Sequence, residues 1–384
     1  MKNNLSKTLK GDRIIWAVII ALSIFSLLAV YSSTGTLAYK YHGGNTTYYI
    51  FKHFTILIIG LILIFVTHLI PYKYYSRLSQ LFLYISIPLL LLTLVMGTSL
   101  NQASRWLTLP GLGFTIQTSD FAKLALIMYI ARVLSLKQDK IKDYKEAFVP
   151  IMIPVIFVCG LILPADLSTT LILFTTSMVL MFIGRVRVKH LLFFGGVGIL
   201  AVSLFVIVTL YVDKEGRIGT WKNRIETFVN SDSSKDNYQV EQSKIAIATG
   251  GIHGKKPGNS TQRNFLPHPY SDFIYAIIIE EWGLIGGIVV MFLYLYLLFR
   301  AGVIVRKSTR TFPAFLAIGL TVSIVFQAMI NMAVAVNLFP VTGQTLPLIS
   351  MGGSSMLFIS IAFGIILSVS RGINKLEQNE EVLQ

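Results

Sequence analysis

Asp272 lies where a long polar stretch gives way to an apolar run, in Pro267-His-Pro-Tyr-Ser-Asp-Phe273 followed by Ile-Tyr-Ala-Ile-Ile-Ile. A carboxylate at a water–lipid boundary can serve as a general base or as a ligand of a hard cation. Glu280 and Glu281 lie deeper in the same run. On a helix, Glu280 falls about 80° round from Asp272 and about two turns on, while Glu281 points the other way. Ionisable groups at membrane depth are costly and usually functional, so Glu280 is read as pairing with a buried cation or positioning a neighbour.

Asp120 and Lys123, in Gln117-Thr-Ser-Asp-Phe-Ala-Lys123, share one helical face. Two readings stand side by side: a structural ion pair, or a site for a charged headgroup. Arg105 suits bidentate phosphate binding, and its neighbour Trp106 suits an interfacial belt. Asp166, after Pro164, is read first as the cap of the helix that follows. Gly250, Gly251, Gly254 and Gly258 permit close backbone approach to a ligand. They do not form a nucleotide-binding loop, because no glycine-lysine-serine/threonine string follows a strand. Gln327 and Asn331 suit hydrogen bonds between helices. The small residues of Ser350-Met-Gly-Gly-Ser-Ser355 allow close helix packing or leave a cavity wall.

These residues need a membrane scaffold. The chain is 54% hydrophobic and only 13% charged, against roughly a quarter charged in soluble domains. Ten apolar runs can each span a bilayer: 14–33, 50–70, 79–97, 119–136, 148–164, 167–184, 189–212, 273–299, 312–337 and 346–370. The fold class is therefore an all-α polytopic membrane protein, one domain over residues 1–384. A single large loop, 213–272, separates spans seven and eight, and all other connections are read as short. Lys and Arg exceed Asp and Glu by 33 to 18, giving a net charge of +15. The basic residues sit in alternate short connections, as at Lys73, Arg77, Arg185, Arg306 and Arg371, so they set topology rather than bind nucleic acid. Both termini are expected in the cytoplasm and the large loop outside. The basic start followed by Ile14–Val30 imitates a signal peptide but is read as an uncleaved first helix. Cys159 is the sole cysteine and is read as a packing residue.

A set of motifs then carries a resemblance. Arg105-Trp106, Gln117-Thr-Ser-Asp-Phe-Ala-Lys123, Pro164-Ala-Asp166, Gly250-Gly251, Ser271-Asp-Phe-Ile-Tyr-Ala276, Glu280-Glu-Trp-Gly283, Asn331, Pro340-Val-Thr-Gly343 and Gly352-Gly-Ser-Ser355 occur in order along the chain. Together they resemble the SEDS family of shape, elongation, division and sporulation proteins (FtsW, RodA and SpoVE), with the division type the nearer. The sequence departs from the family at Thr118 and Asp120, where proline and glutamate are usual, and at Tyr270-Ser271, where histidine-threonine is usual.

The resemblance implies an inverting peptidoglycan glycosyltransferase that polymerises lipid II at the outer face of the bacterial cytoplasmic membrane. It also implies a class B penicillin-binding transpeptidase as partner, among other division or elongation membrane proteins. The family's essential aspartate falls on Asp272, and its acid–lysine pair on Asp120 and Lys123. The expected catalytic residue is Asp272. The expected substrate-binding residues are Arg105, Lys123, Asp120, Asp166, Glu280, Gly250, Gly251, Ser354 and Ser355, with Arg105 and Lys123 facing pyrophosphate. A divalent cation (Mg2+ or Mn2+) is conceivable, but no ligand set is fixed. The rival readings are a lipid II flippase and a scaffold that only recruits the transpeptidase.

Overall fold

The structure is a computed structural model that describes residues 10–35, 37, 39, 45–100, 103–108, 115–211 and 235–382. Ten long helices follow the ten apolar runs: α1 (Arg13–Ser33), α2 (Thr46–Leu69), α3 (Tyr72–Met96), α4 (Thr118–Leu136), α5 (Val149–Ile162), α6 (Leu167–Ile183), α7 (Val188–Tyr211), α9 (Ile274–Lys307), α10 (Thr311–Ala335) and α11 (Gly353–Val382). The shorter α8 (Lys235–Gly250) lies within the large loop. Among the described residues, seven helices are long and apolar enough to cross a membrane, namely α1, α2, α3, α5 with its preceding turn, α9, α10 and α11. Leu167–Ile183 and Val188–Ala201 are shorter apolar helices. In α4 the apolar run is interrupted by Asp120, Lys123 and Arg132. The chain is a multi-pass, helical membrane protein.

Side-chain caps fix where several helices start. Asp12 accepts from the backbone N–H of Ile14 at 2.8 Å and heads α1. Its other carboxylate oxygen takes Arg300 of α9, which joins two helices at that end. Helices α4 and α10 are buried on nearly all sides. By contrast, α2, α3 and α7 turn large apolar side chains such as Phe51, Ile62, Leu81, Leu192 and Phe193 outward. That outward surface is what lipid tails cover.

Two connections are not the short loops expected. Residues 98–117 hold a three-stranded antiparallel meander of β1 (Thr98–Leu100), β2 (Ala103–Thr108) and β3 (Thr115–Gln117). Trp106 faces Thr98 on one side and Gln117 on the other. Residues 336–352 are irregular, and the last helix starts at Gly353 rather than near 346. Pro347 lacks the N–H a helix interior needs, and Leu348 sits at φ 62°, so the apolar pattern there cannot be helical.

Residues 212–234 of the large loop lie outside the described residues, and the rest is ordered around a break in α9. At Gly283 the backbone leaves helical geometry (φ 71°, ψ −175°). Buried backbone groups need partners, and the loop supplies them. Lys255 N–H donates to Glu280 O and Lys256 N–H to Glu281 O, both at 2.9 Å; Leu284 N–H donates to Gly251 O at 2.8 Å. The glycines make this approach possible. A Cβ on Gly254 would stand 2.2 Å from Glu281 O, and one on Gly283 would stand 2.1 Å from Ile252 O.

Gly283→Ala and Gly258→Ala therefore separate strain from collision. Gly258 (φ +84°) has open space around it, so its alanine variant should cost only the left-handed strain, about 1–2 kcal/mol. Gly283→Ala should cost at least about twice that, because backbone must also move. Thermal unfolding in detergent measures both, and equal midpoints would contradict the break.

Candidate functional site

The turn that carries Asp272 is held from three directions. Asn331 of α10 donates to Asp272 O at 2.9 Å and to Gln344 O at 2.7 Å. Ser350 Oγ donates to Ser271 O at 2.7 Å, and Met351 N–H to Tyr270 O at 2.9 Å. Ser271 Oγ donates to Asp272 Oδ1 at 2.8 Å. Phe273, 1% exposed, plugs the turn into the core below. The carboxylate is thereby aimed at Gly343, which sits at φ +69°. A Cβ there would meet Asp272 Oδ2 at 3.7 Å and Arg105 Nη1 at 3.8 Å. A carboxylate and a guanidinium thus converge over a residue with no side chain.

Arg105 is set by strand β2 and by the α5–α6 turn. Its Nε donates to Ala165 O at 3.0 Å, and its Nη1 meets Asp166 Oδ2 at 3.2 Å. Arginine has five N–H donors, and these contacts use two. Asp166, 1% exposed, also caps α6 by accepting from Thr169 N–H at 3.1 Å. The expected cap is present; its second task, orienting Arg105, was not visible in the sequence.

Asp120 and Lys123 pair at 3.2 Å and are both buried. Lys123 Nζ also donates to Gln327 Oε1 at 2.7 Å, and Gln327 Nε2 donates to Thr345 O at 3.0 Å. Ser355 Oγ donates to Asp120 Oδ2, and Ser354 Oγ accepts from Gln117 N–H at 3.0 Å. The pair borders a small gap of about 20 Å3 with Leu124, Ile127, Ile324 and Phe358. Ser354 and Ser355, expected at the substrate, join α11 to the end of β3 and to α4. Gln327 and Asn331, one turn apart on α10, grip the 340–352 segment at Thr345 and Gln344.

Glu280 and Gly250 also serve the protein itself. Glu280, fully buried, accepts from Lys255 Nζ at 2.7 Å, Thr261 N–H at 3.0 Å and Gln262 N–H at 3.2 Å, and from Ser260 Oγ. Its cation is therefore Lys255, and its work is to anchor the loop. Glu281 faces the other way and accepts from Ser32 Oγ and from Ser260 N–H at 3.4 Å. Arg263 Nη1 donates to Ser32 O at 3.0 Å, which ties the loop to α1. A Cβ on Gly250 would stand 2.2 Å from Ile279 O, so Gly250 approaches α9 rather than a ligand. Gly251 (φ +56°) has open space around it.

The carboxylates do not gather into a protein-built cation cage. Asp166 is committed to Arg105 and Glu280 to the loop, and no group of three His, Cys, Asp or Glu lies close enough among the described residues. Gly343 and Gln344 are the site residues that side-chain chemistry alone overlooked. Their signal was the turn-rich string Pro340-Val-Thr-Gly343.

Removing one partner of a buried pair leaves an uncompensated charge, worth about 3–5 kcal/mol in a soluble interior. Lys123→Met should therefore reduce the yield of folded protein in detergent, and adding Asp120→Asn should restore it. Monodispersity on size exclusion reads both; a fully stable Lys123→Met variant would show the pair to be dispensable.

The whole chain has clear relatives. Residues 12–375 match the FtsW/RodA/SpoVE family, described as "Cell cycle protein". A Trichlorobacter lovleyi protein named "Probable peptidoglycan glycosyltransferase FtsW" is 35% identical, with 94% of this chain and 93% of that protein covered. Stage V sporulation protein E of Bacillus subtilis is 33% identical over 95% of this chain and 98% of its own length. Among solved structures, RodA of Thermus thermophilus superposes with a TM-score of 0.68 at 23% identity, covering 96% of this chain and 98% of that one. A chain from a structure described as "Structural coordination of polymerization and crosslinking by a peptidoglycan synthase complex" gives 0.74 at 24% identity, covering 94% and 98%. At that identity the structural likeness speaks for the fold, while the sequence matches run nearly end to end: the chain belongs to the FtsW/RodA/SpoVE, or SEDS, family and is FtsW-like.

Proposed function

We propose that this protein is a peptidoglycan glycosyltransferase that extends glycan strands from lipid II. The observation that carries the reading is the convergence of Asp272 Oδ2 and Arg105 Nη1 over Gly343. Glycosyl transfer from a lipid pyrophosphate needs a base for the incoming hydroxyl and a cation for the departing anion. Asp272 takes the proton of the acceptor sugar's 4-hydroxyl as its oxygen bonds to the donor's anomeric carbon. The bond from that carbon to the pyrophosphate breaks, and its electron pair leaves with undecaprenyl pyrophosphate. A single direct displacement inverts the anomeric centre. Arg105, oriented by Asp166, faces the departing charge, and its fork suits phosphate oxygens. Lys123, engaged by Asp120 and Gln327, holds the scaffold under the site.

The substrate is half lipid and half sugar, which suits a site at the mouth of a helical bundle. The alternating basic connections support an orientation with both termini in the cytoplasm and Asp272 at the outer face of the cytoplasmic membrane. The likeness to a chain of a peptidoglycan synthase complex supports a class B penicillin-binding transpeptidase as partner, with other division proteins around it.

Asp272→Asn keeps size and removes basicity and charge. With purified lipid II in detergent and the transpeptidase present, the variant should fold normally and make glycan about 10²–10⁴-fold more slowly. Detergent abolishes sidedness, so a flippase scores nothing in this assay. Wild-type protein that makes no glycan but moves labelled lipid II across liposomes would overturn the enzyme reading.

A further inference from the structure

The end of the bundle opposite Asp272 carries a second polar feature. Gly353 lies near the site, and Arg371 is 18 residues along the same helix, about 27 Å away at 1.5 Å per residue. There Lys73 and Arg77 of α3 and Arg371 of α11 line a cleft of about 450 Å3 with Tyr72, Tyr74 and Ser368. No carboxylate is among the lining residues, and none of the three cations forms an ion pair among the described residues. Arg132 of α4 adds a further charge beside them by donating to Ser76 O.

The walls of this cleft are braced. Arg371 Nη2 donates to Leu69 O at 2.9 Å, Ser368 Oγ donates to Ile70 O, and Tyr75 OH donates to Thr67 O at 2.6 Å. Gly372 lets the Tyr72 ring lie flush on α11, since a Cβ there would stand 2.5 Å from it. Immediately beside the cations the surface is apolar and exposed, at Val66, Leu69 and Leu81. Charge above and lipid-facing surface below match the two halves of a phospholipid. Topology alone requires basic residues in a connection, but not a braced concavity whose described lining residues include no acid.

We propose that this cleft binds the phosphodiester headgroup of an anionic phospholipid. Lys73, Arg77 and Arg371 face the phosphate, the two tyrosines sit at the headgroup level, and the acyl chains lie along α2 and α3. The lipid makes no contact with the Asp272 site, so the inference stands apart from the proposed reaction.

The test uses the full-length protein in phosphatidylcholine nanodiscs doped with a low fraction of phosphatidylglycerol, with retained lipid counted by native mass spectrometry. Lys73 and Arg77 are exposed, so Lys73→Gln/Arg77→Gln should fold. Its retention of phosphatidylglycerol should fall about thirtyfold, from about fivefold per basic residue at an anionic surface. Lys73→Arg/Arg77→Lys should retain the lipid as the wild type does, and excess inorganic phosphate should not displace it. Equal retention by the glutamine variant would overturn the site, and displacement by inorganic phosphate would assign the cleft to a free anion instead.

Discussion

Backbone that leaves a helix within a membrane bundle has no water to pair with, so the protein must supply every partner itself. The break in α9 at Gly283 exists under that constraint. The loop after α8 enters the gap and hydrogen-bonds to Glu280 O, Glu281 O and Leu284 N–H. The carboxylates on either side of the helix then fasten the same loop, Glu280 through Lys255 and Thr261, and Glu281 through Ser260, while Ser32 joins Glu281 to α1. The loop and the helix it interrupts are one structure, and Asp272 sits where the two meet.

The second irregular segment, 336–352, obeys the same rule. Its backbone is paired by side chains from α10, at Gln327 and Asn331, and by the Asp272 turn at Tyr270 O, while its Ser350 Oγ donates to Ser271 O. The Asp272 turn and this segment thus hold each other, and their meeting places Gly343 in front of Asp272. Arg105 arrives from a third direction on a small sheet, and Asp166 fixes its angle. The polar groups of the site are held by backbone as much as by side chains. This is the rigidity that a displacement reaction needs, because its groups must be in place before charge develops.

The helices were legible because length and apolar content suffice to mark a span. The Asp166 cap was legible because its signal is local. What escaped has no local signal. Two of the three strands have only three residues, too few for alternation to show, so 98–117 read as a loop. Leu346–Ile349 looked like the start of a span, although Pro347 argued against it. Glu280, Ser354 and Ser355 looked available for substrate because their partners, Lys255, Gln117 and Asp120, lie far off in sequence. The resemblance pointed to Asp272 without revealing what aims it. That came only from the contacts of Asn331 and Ser350 with its turn.

The central claim is that a reacting group occupies the space over Gly343 between Asp272 and Arg105. The most direct test is glycan synthesis from purified lipid II by Gly343→Ala. Its methyl would stand 3.7 Å from Asp272 Oδ2 and 3.8 Å from Arg105 Nη1, an ordinary contact that fills the gap, and the left-handed backbone at φ +69° adds strain of about 1–2 kcal/mol. Synthesis should fall at least about a hundredfold, as for other small misplacements at a reacting centre, while the protein stays folded by thermal unfolding on the same sample. Synthesis at the wild-type rate would mean that nothing reacts there, and the site would have to be sought elsewhere.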